Sequence, residues 1–284
     1  MRAEAPLLSF RISVDYPNRP GVLRDVHLEI ESRETLGLVG ESGSGKSTLA
    51  LALLRLLSLK GARVSGEIIF EGEDLLKKPE AQLRSIRGRR MSIVLQSPQA
   101  SLNPALRIGA QLKEAWRAHA LRTAGDSSIA IASALRSAQL PDDYEFLCRR
   151  PSQLSVGQAQ RVNIAMAILH RPALLIADEA TSALDTITQS EILDLLEHLN
   201  RELGMAILYI SHDLMSISRL CDRVAILYAG ELLEVGSTDE IFRSPKHPYT
   251  QRLLSASHVP RLREAAENAL GEAFELSSPY EIKR

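Results

Sequence analysis

Residues 40–48 combine small residues with one lysine, in a spacing that suits the binding of phosphate groups. The segment contains Gly40, Ser42, Gly43, Ser44, Gly45, Lys46, Ser47 and Thr48. Its glycines allow a tight loop whose backbone N–H groups point at phosphate oxygens, and a helix that starts there adds partial positive charge. Lys46 can reach the β and γ phosphates of a nucleotide, and the Ser47 hydroxyl can bind Mg²⁺. The segment therefore predicts a nucleotide-binding phosphate loop, the P-loop.

Two adjacent acids follow an apolar run farther along the chain. The run Ala173–Ala177 ends in Asp178 and Glu179. An open α/β sheet binds its ligand at the C-terminal ends of its strands, so Asp178 is expected to face the P-loop. Asp178 can hold Mg²⁺ through water, and Glu179 can polarise the water that attacks the γ-phosphate. A phosphate loop alone leaves kinases, GTPases and other motors open, and these acids narrow the choice by supplying the Mg²⁺-binding and water-positioning groups of phosphoryl transfer.

The elements that must position these residues alternate between strand and helix. The strand Thr35–Val39 leads through the P-loop to a helix over Ser47–Leu57, and the helix Thr188–Leu203 connects Ala173–Ala177 to a strand at Ala206–Ile210. Such alternation predicts an α/β fold with a mostly parallel sheet. Further strands are predicted at Gly66–Phe70, Met91–Leu95, Arg223–Tyr228 and Glu231–Gly236.

Two regions depart from this alternation. Period-two patterning over Leu7–Val14 and Val26–Ile30 predicts a small antiparallel β subdomain. Alanine, leucine and arginine dominate the region Ser97–Gln153. Its helical spacing through Ile108–Leu121 and Ser127–Ala138 predicts a helical subdomain. The predicted organisation is a core formed by residues 1–96 and 155–249, a helical subdomain over residues 97–154, and a C-terminal extension over residues 250–284.

Composition limits the partners that the chain can have. The 34 basic side chains nearly cancel the 35 acidic ones, so no overall field favours nucleic acid. Cys148 and Cys221 lie far apart and have no metal-like spacing, which argues against a zinc site. The N-terminus does not resemble a signal peptide, and the most apolar stretch, Leu49–Leu59, is shorter than the ~20 residues that span a bilayer. A membrane role would therefore depend on a partner.

Residues 154–158, Leu-Ser-Val-Gly-Gln, form what we call the signature motif, and an alanine-rich helix follows. As a bare pattern it is a helix start with Ser155 as the N-cap. The order of all the elements is more informative. They are the P-loop, Gln96, the signature motif, Asp178-Glu179, Ser182-Ala-Leu-Asp185 and His212. In this order and at these intervals they resemble the ABC ATPase family over residues 7–249, which implies a RecA-like P-loop NTPase core.

The resemblance implies a dimer of two cassettes that face each other head to tail. Ser155, Gly157 and Gln158 of one chain would cap the γ-phosphate that the other chain's P-loop holds, and Asp185 would cross the interface. Two ATP molecules would lie between the chains.

Three further residues receive roles from the resemblance. Gln96 would contact Mg²⁺, beside Ser47 and Asp178, and would relay the presence of the γ-phosphate to a membrane partner. His212 would hold that phosphate and the attacking water, which places it with Lys46 and Glu179 in catalysis. Tyr16 resembles the aromatic residue on which adenine stacks, although a lone tyrosine is also common in core packing.

Two positions depart from the family pattern. Val156 stands where the family usually has glycine, and Ala180 stands where proline commonly follows the catalytic acid. The valine either crowds the ATP of the partner chain or is accommodated, and the sequence leaves both open. Full activity of one of the two composite sites is therefore in question.

Two more segments resemble the ATPases of oligopeptide, dipeptide and nickel importers. They are residues 96–104, Gln-Ser-Pro-Gln-Ala-Ser-Leu-Asn-Pro, and residues 244–254, which contain His247-Pro-Tyr-Thr. This resemblance implies a heterodimer with a paralogous ATPase, two integral membrane permease subunits and an extracytoplasmic substrate-binding protein. The chain would be peripheral, at the cytoplasmic face of the inner membrane, and would contact the permeases around Ser97–Gln111. Because no cysteine follows Cys221, no C-terminal iron–sulfur cluster is expected.

The cargo and one alternative function remain open at this level. Peptides, nickel and metal chelates are all compatible with the importer resemblance, because other subunits bind the cargo. A similar cassette with the same His-Pro-Tyr-Thr segment serves in the carbon–phosphorus lyase system, which would imply a soluble complex and no membrane recruitment. A phosphate-loop kinase would leave the signature motif unexplained.

Overall fold

The strand that leads into the P-loop lies inside a six-stranded sheet. The computed structural model of the chain describes residues 5–119 and 126–256. The sheet has the order β10-β9-β3-β8-β7-β6, in which only β10 runs antiparallel to its neighbour. Its strands are β3 (Thr35–Val39), β6 (Met91–Val94), β7 (Leu174–Asp178), β8 (Ala206–Ile210), β9 (Arg223–Tyr228) and β10 (Glu231–Ser237).

A second sheet is antiparallel and has the order β2-β1-β4-β5. Its strands are β1 (Leu8–Tyr16), β2 (Arg19–Ile30), β4 (Arg63–Phe70) and β5 (Glu73–Asp74). Leu8, Phe10 and Ile12 alternate along β1 and are buried, so this face packs on the helix that follows the P-loop. The predicted antiparallel subdomain is present, and it includes β4 as the neighbour of β1.

The described ranges contain ten α-helices. They are α1 (Lys46–Leu53), α2 (Glu80–Ile86), α3 (Ile108–Arg117), α4 (Ser127–Ser137), α5 (Tyr144–Cys148), α6 (Val156–Ile168), α7 (Thr186–Leu203), α8 (Leu214–Leu220), α9 (Thr238–Arg243) and α10 (Pro248–Ala256). No helix in these ranges is long and apolar enough to cross a membrane. Short 3₁₀ turns lie at Leu57–Lys60, Leu75–Lys77 and Pro151–Gln153.

The six-stranded sheet separates two hydrophobic clusters. Successive residues of β7 point to opposite faces, so that Leu174 packs with α1 and the antiparallel sheet, whereas Leu175 packs with α6 and α7. Helices α3 to α6 belong to the cluster that contains Leu175, through buried residues such as Leu112 and Leu135. This arrangement is the predicted α/β fold, with an antiparallel sheet on one side and a helical region on the other.

Several elements have other limits than the sequence predicts. The helix after the P-loop ends at Leu53 instead of Leu57, because Arg55 adopts a left-handed conformation with φ of 57°. The helix predicted over Ile108–Leu121 ends at Arg117, and residues 120 and 121 lie outside the described ranges. Helix α7 begins two residues early, because the Asp185 side chain caps it. The extension over residues 250–284 is described only as far as residue 256.

Candidate nucleotide-binding site

The P-loop is a tight turn that lies against two strands. Gly43 and Gly45 adopt φ values of 82° and 111°, in the left-handed region that glycine tolerates best. A Cβ atom on Gly45 would lie 2.6 Å from the Leu23 side chain, and one on Gly40 would lie 2.1 Å from the Leu227 carbonyl oxygen. These glycines therefore allow the loop to pack directly on β2 and β9.

Lys46 is buried within this loop. Its Nζ donates hydrogen bonds to the carbonyl oxygens of Gly40, at 2.7 Å, and Glu41, at 2.9 Å. Burial lowers the pKa of Lys46, against the opposing effect of the Glu179 and Asp178 carboxylates. The nearby Ser44 hydroxyl is buried and has no hydrogen-bond partner among the described residues. A phosphate oxygen would supply the missing partner, so the loop fits a nucleotide.

The end of β7 supplies an acid next to the start of α1. Ser47 Oγ donates a hydrogen bond to Asp178 Oδ1 at 3.2 Å. Burial raises the pKa of Asp178, and the neighbouring Glu179 carboxylate adds to this effect. A hydroxyl beside a buried carboxylate is an oxygen donor set of the kind that Mg²⁺ prefers, so Ser47 and Asp178 fit that ion.

Gln96 lies two residues beyond β6, which pairs with β7 through Val94 and Ala177. Its side chain is exposed, at the same edge of the sheet as Asp178. The structure therefore brings Gln96 to the correct edge, whereas a role as a Mg²⁺ ligand stays a prediction.

Glu179 and His212 come together because β7 and β8 are neighbours. Glu179 Oε1 lies 3.4 Å from His212 Nδ1, and the Glu179 N–H donates to the Ile210 carbonyl oxygen at 2.9 Å. Glu179 adopts a φ of 50°, which is unusual for a residue with a side chain and points to a locally constrained turn. The His212 side chain is 61% exposed, whereas that of Glu179 is 19% exposed. The pair can therefore face a ligand outside the sheet edge.

The signature motif lies at the start of α6, beside the start of α7. Ser155 and Gln158 make a capping box, in which each side chain accepts a hydrogen bond from the other residue's N–H. Asp185 caps α7 and accepts a hydrogen bond from the Thr188 hydroxyl at 2.8 Å. A Cβ atom on Gly157 would lie 2.7 Å from the Thr188 methyl group. The two helix starts are thus tied to each other.

The two departures from the family pattern differ in exposure. The Val156 side chain is 39% exposed at the start of α6, so it does not belong to the core of its own chain. Ala180 is buried, and its carbonyl oxygen accepts a hydrogen bond from the buried Gln160 amide at 2.7 Å. Of these two residues, only Val156 therefore presents its side chain at the surface of the chain.

Tyr16 lies at the end of β1 and is half-buried. It lines one cavity together with Thr48 of α1, the residue that ends the predicted P-loop segment. This position is compatible with a flat base beside the P-loop, and the stacking itself stays a prediction.

Sequence reasoning missed a buried link between the turns that carry Glu179 and His212. The Tyr209 hydroxyl lies 2.9 Å from the Thr181 hydroxyl, and both side chains are buried. Thr181 follows Glu179 by two residues, and Tyr209 precedes His212 by three. A second link joins Gln189 Nε2 to the Asp213 carboxylate at 2.7 Å. No local pattern indicates these pairs, because each joins positions more than twenty residues apart.

The fold and the site define a P-loop nucleotide hydrolase, and comparison with solved structures agrees. A dimeric ATP-binding cassette, MJ0796, in a post-hydrolysis state bound to ADP and Pi matches with a TM-score of 0.69 and 27% identity, over 81% of this chain and 98% of that one. The structure of cbiO1 from Clostridium perfringens, part of the ABC transporter complex cbiONQ, matches with a TM-score of 0.73 and 25% identity, over 93% of this chain and 100% of that one.

Sequence comparison identifies the family. The family described as ABC transporter matches residues 23–182, and the C-terminal region of oligopeptide/dipeptide transporters matches residues 233–280. A putative peptide import ATP-binding protein of Brucella abortus (strain 2308) is 44% identical over 256 residues, which are 89% of this chain and 77% of the relative. The glutathione import ATP-binding protein GsiA of Salmonella choleraesuis (strain SC-B67) is 42% identical over 91% of this chain and 42% of the relative. The chain belongs to the ABC transporter family, as the motifs predicted, and is an ATP-binding ATPase subunit.

Proposed function

We propose that this chain is the ATP-hydrolysing subunit of an ABC importer that takes up peptides. The observation that carries the proposal is the match of residues 233–280 to the C-terminal region of oligopeptide/dipeptide transporters, on a chain that also holds a complete P-loop. Relatives named for peptide and glutathione import support it, since glutathione is itself a small peptide. No comparison favours nickel over peptides or supports the carbon–phosphorus lyase alternative.

The proposed mechanism uses the residues gathered at the sheet edge. Lys46 and the loop N–H groups bind the phosphates, and Ser47, Asp178 and Gln96 would hold Mg²⁺. When bound, Mg²⁺ would neutralise charge on the phosphate oxygens. Glu179 orients and polarises the attacking water. Because His212 Nδ1 faces Glu179, its Nε2 remains available to the γ-phosphate.

A second ATPase chain completes the proposed site. In the described ranges the Ser155 hydroxyl accepts its hydrogen bond from the Gln158 N–H, and the hydrogen bonds of the Asp185 carboxylate are within the first turn of α7. Within these ranges neither side chain forms a hydrogen bond with the P-loop of its own chain. In the proposed head-to-tail dimer, Ser155, Gly157 and Gln158 cap the ATP of the partner, which is a paralogous ATPase, and Asp185 crosses the interface.

We also propose where the two permease subunits bind. An apolar groove lies between β6 and α6, and it is lined by Leu54, Leu56, Leu95, Ser101 and Met166 among others. Leu95 is 44% exposed and directly precedes Gln96. A permease segment in the groove would therefore lie beside Gln96, the residue proposed to relay the presence of the γ-phosphate. In this proposal residues 97–154 act as the helical subdomain that meets the membrane partners. The chain would lie at the cytoplasmic face of the inner membrane, beside permeases that receive cargo from an extracytoplasmic binding protein.

The test is a pull-down of the tagged chain from its own cells in mild detergent, with mass spectrometry of the co-purifying proteins. We expect two polytopic membrane proteins and a second ATPase, together with a peptide-binding protein. Leu95→Glu should remove the membrane proteins, whereas Ile129→Glu, which changes a more exposed apolar residue on α4, should retain them. Recovery of soluble metabolic enzymes without membrane proteins would contradict the importer.

A further inference from the structure

The segment that begins α10 is attached firmly to the β9–β10 hairpin. The Glu234 carboxylate of β10 accepts hydrogen bonds from the N–H groups of Lys246, at 2.7 Å, and His247, at 3.1 Å. His247 Nδ1 then accepts the N–H of Tyr249 at 3.1 Å. A charged acceptor for two backbone donors is a strong anchor, so these bonds fix the position of Tyr249.

Tyr249 itself packs on the end of β9. Its ring lies 4.3 Å from the ring of Tyr228, measured between centroids, and the residue is only 6% exposed. Its hydroxyl is buried and lacks a hydrogen-bond partner of good geometry among the described residues. Burial, together with the charge of the nearby Glu41 carboxylate, raises the pKa of Tyr249 to about 12. The hydroxyl therefore stays protonated near neutral pH and is available as a donor.

Tyr228 belongs to the part of the hairpin that supports the P-loop. The Gly230 N–H donates to the Ser44 carbonyl oxygen at 3.0 Å, and Gly40 packs so closely on Leu227 that no side chain would fit between them. Residues 227–230 thus contact both ends of the glycine-rich turn. A side chain that fixes Tyr228 also limits how far this support can move.

We propose that Tyr249 is a positioning residue of the ATPase, which braces the β9–β10 hairpin through the packing of its ring on Tyr228 and so supports the P-loop. The C-terminal region thereby sets the shape of the phosphate-binding loop before nucleotide arrives. The inference rests on the nucleotide site of the proposed function and is independent of the cargo and the permeases. Tyr249 acts through the loop and does not touch the phosphates.

This arrangement predicts an effect on nucleotide affinity and little effect on turnover. Within the described residues no hydrogen bond joins Tyr249 to Glu179 or His212, the proposed water-polarising residues at the ends of β7 and β8. Tyr249→Phe conserves the ring that packs on Tyr228, so MgADP affinity should change less than about twofold. Tyr249→Ala removes the ring and should raise the KM for ATP about 5- to 30-fold, with kcat changed less than about twofold.

The experiment measures MgADP affinity by calorimetry and the ATP dependence of hydrolysis for the full chain. Tyr144→Phe is the matched control, since it removes the hydroxyl of an exposed tyrosine on α5. Tyr249→Phe separates the ring from the hydroxyl, because it should bind MgADP like the wild type whereas Tyr249→Ala should bind it more weakly. Circular dichroism confirms that each variant is folded, and Tyr249→Phe conserves the ring.

Unchanged MgADP affinity in Tyr249→Ala would overturn the brace, as would a loss of kcat at constant KM. A loss of MgADP affinity in Tyr249→Phe as large as that in Tyr249→Ala would also overturn the brace, because it would assign the effect to the hydroxyl instead of the ring. Lys46→Ala separates this failure from failure of the nucleotide site. If Lys46→Ala also binds MgADP normally, the P-loop assignment itself is wrong, and if it does not, only the role of Tyr249 is refuted.

Discussion

Gly157 offers a test of how the signature motif is held in place. Replacing it with alanine adds a Cβ atom 2.7 Å from the methyl group of Thr188, and the Thr188 hydroxyl is already engaged by Asp185. Overpacking costs about 1–3 kcal/mol, and loss of the Thr188–Asp185 hydrogen bond adds about 1 kcal/mol. The higher helix propensity of alanine stabilises the helix by about 1 kcal/mol relative to glycine. Gly157→Ala should therefore destabilise the chain by about 1–3 kcal/mol and displace Asp185.

The rescue variant is Gly157→Ala combined with Thr188→Ser. Serine lacks the methyl group that clashes but keeps the hydroxyl that binds Asp185, so the double variant should regain both stability and ATPase activity. Thr188→Ser alone serves as the control, and loss of its half-buried methyl group should cost less than about 1 kcal/mol. Denaturant unfolding and steady-state ATP hydrolysis measure the two effects. If stability returns in the double variant while activity stays lost, the packing clash does not explain the loss of activity, and Gly157 is needed for the nucleotide itself.

Three other substitutions test the proposed roles at the site. Glu179→Gln should slow hydrolysis about 10²- to 10⁴-fold while ATP stays bound and holds the dimer closed, and light scattering that shows monomers at saturating MgATP would contradict this. Lys46→Ala should abolish tight nucleotide binding, because Lys46 is the sole cationic side chain of residues 40–48, and calorimetry that finds wild-type affinity would exclude the P-loop assignment. Val156→Gly should raise the ATP turnover of the assembled complex with stability lowered by at most about 1 kcal/mol, whereas unaltered turnover would show that the valine is accommodated.

The parts of the fold that the sequence predicts well are those with local signals. Strands Thr35–Val39, Ala206–Ile210 and Arg223–Tyr228 have the predicted limits, because short apolar runs between polar turns mark buried parallel strands. The P-loop is predicted for the same reason, since its glycines and Lys46 lie within one contiguous segment. Local sequence patterns therefore predict a structural element well when the residues that form it are adjacent in the chain.

The contacts that local patterns cannot predict depend on strand order. Glu179 approaches His212 because β7 and β8 are neighbours in the sheet, and this order is encoded in the packing of the whole core. Helix α8 escaped prediction because it has only seven residues and starts from an Asp213 cap directly after His212. The stacking of Tyr249 on Tyr228 likewise joins two elements, β9 and α10, that the sequence separates by a strand, a helix and a loop.

The two buried charges of the site explain why nucleotide should stabilise this chain. Burial lowers the pKa of Lys46 and raises that of Asp178, so each charged form is less favourable in the free chain than in water. Carbonyl oxygens and the Ser47 hydroxyl solvate these charges only partly. A polyphosphate supplies opposite charge to Lys46, and a hard divalent cation would supply it to Asp178. Because both penalties are relieved together, nucleotide and cation should bind more tightly as a pair than either does alone.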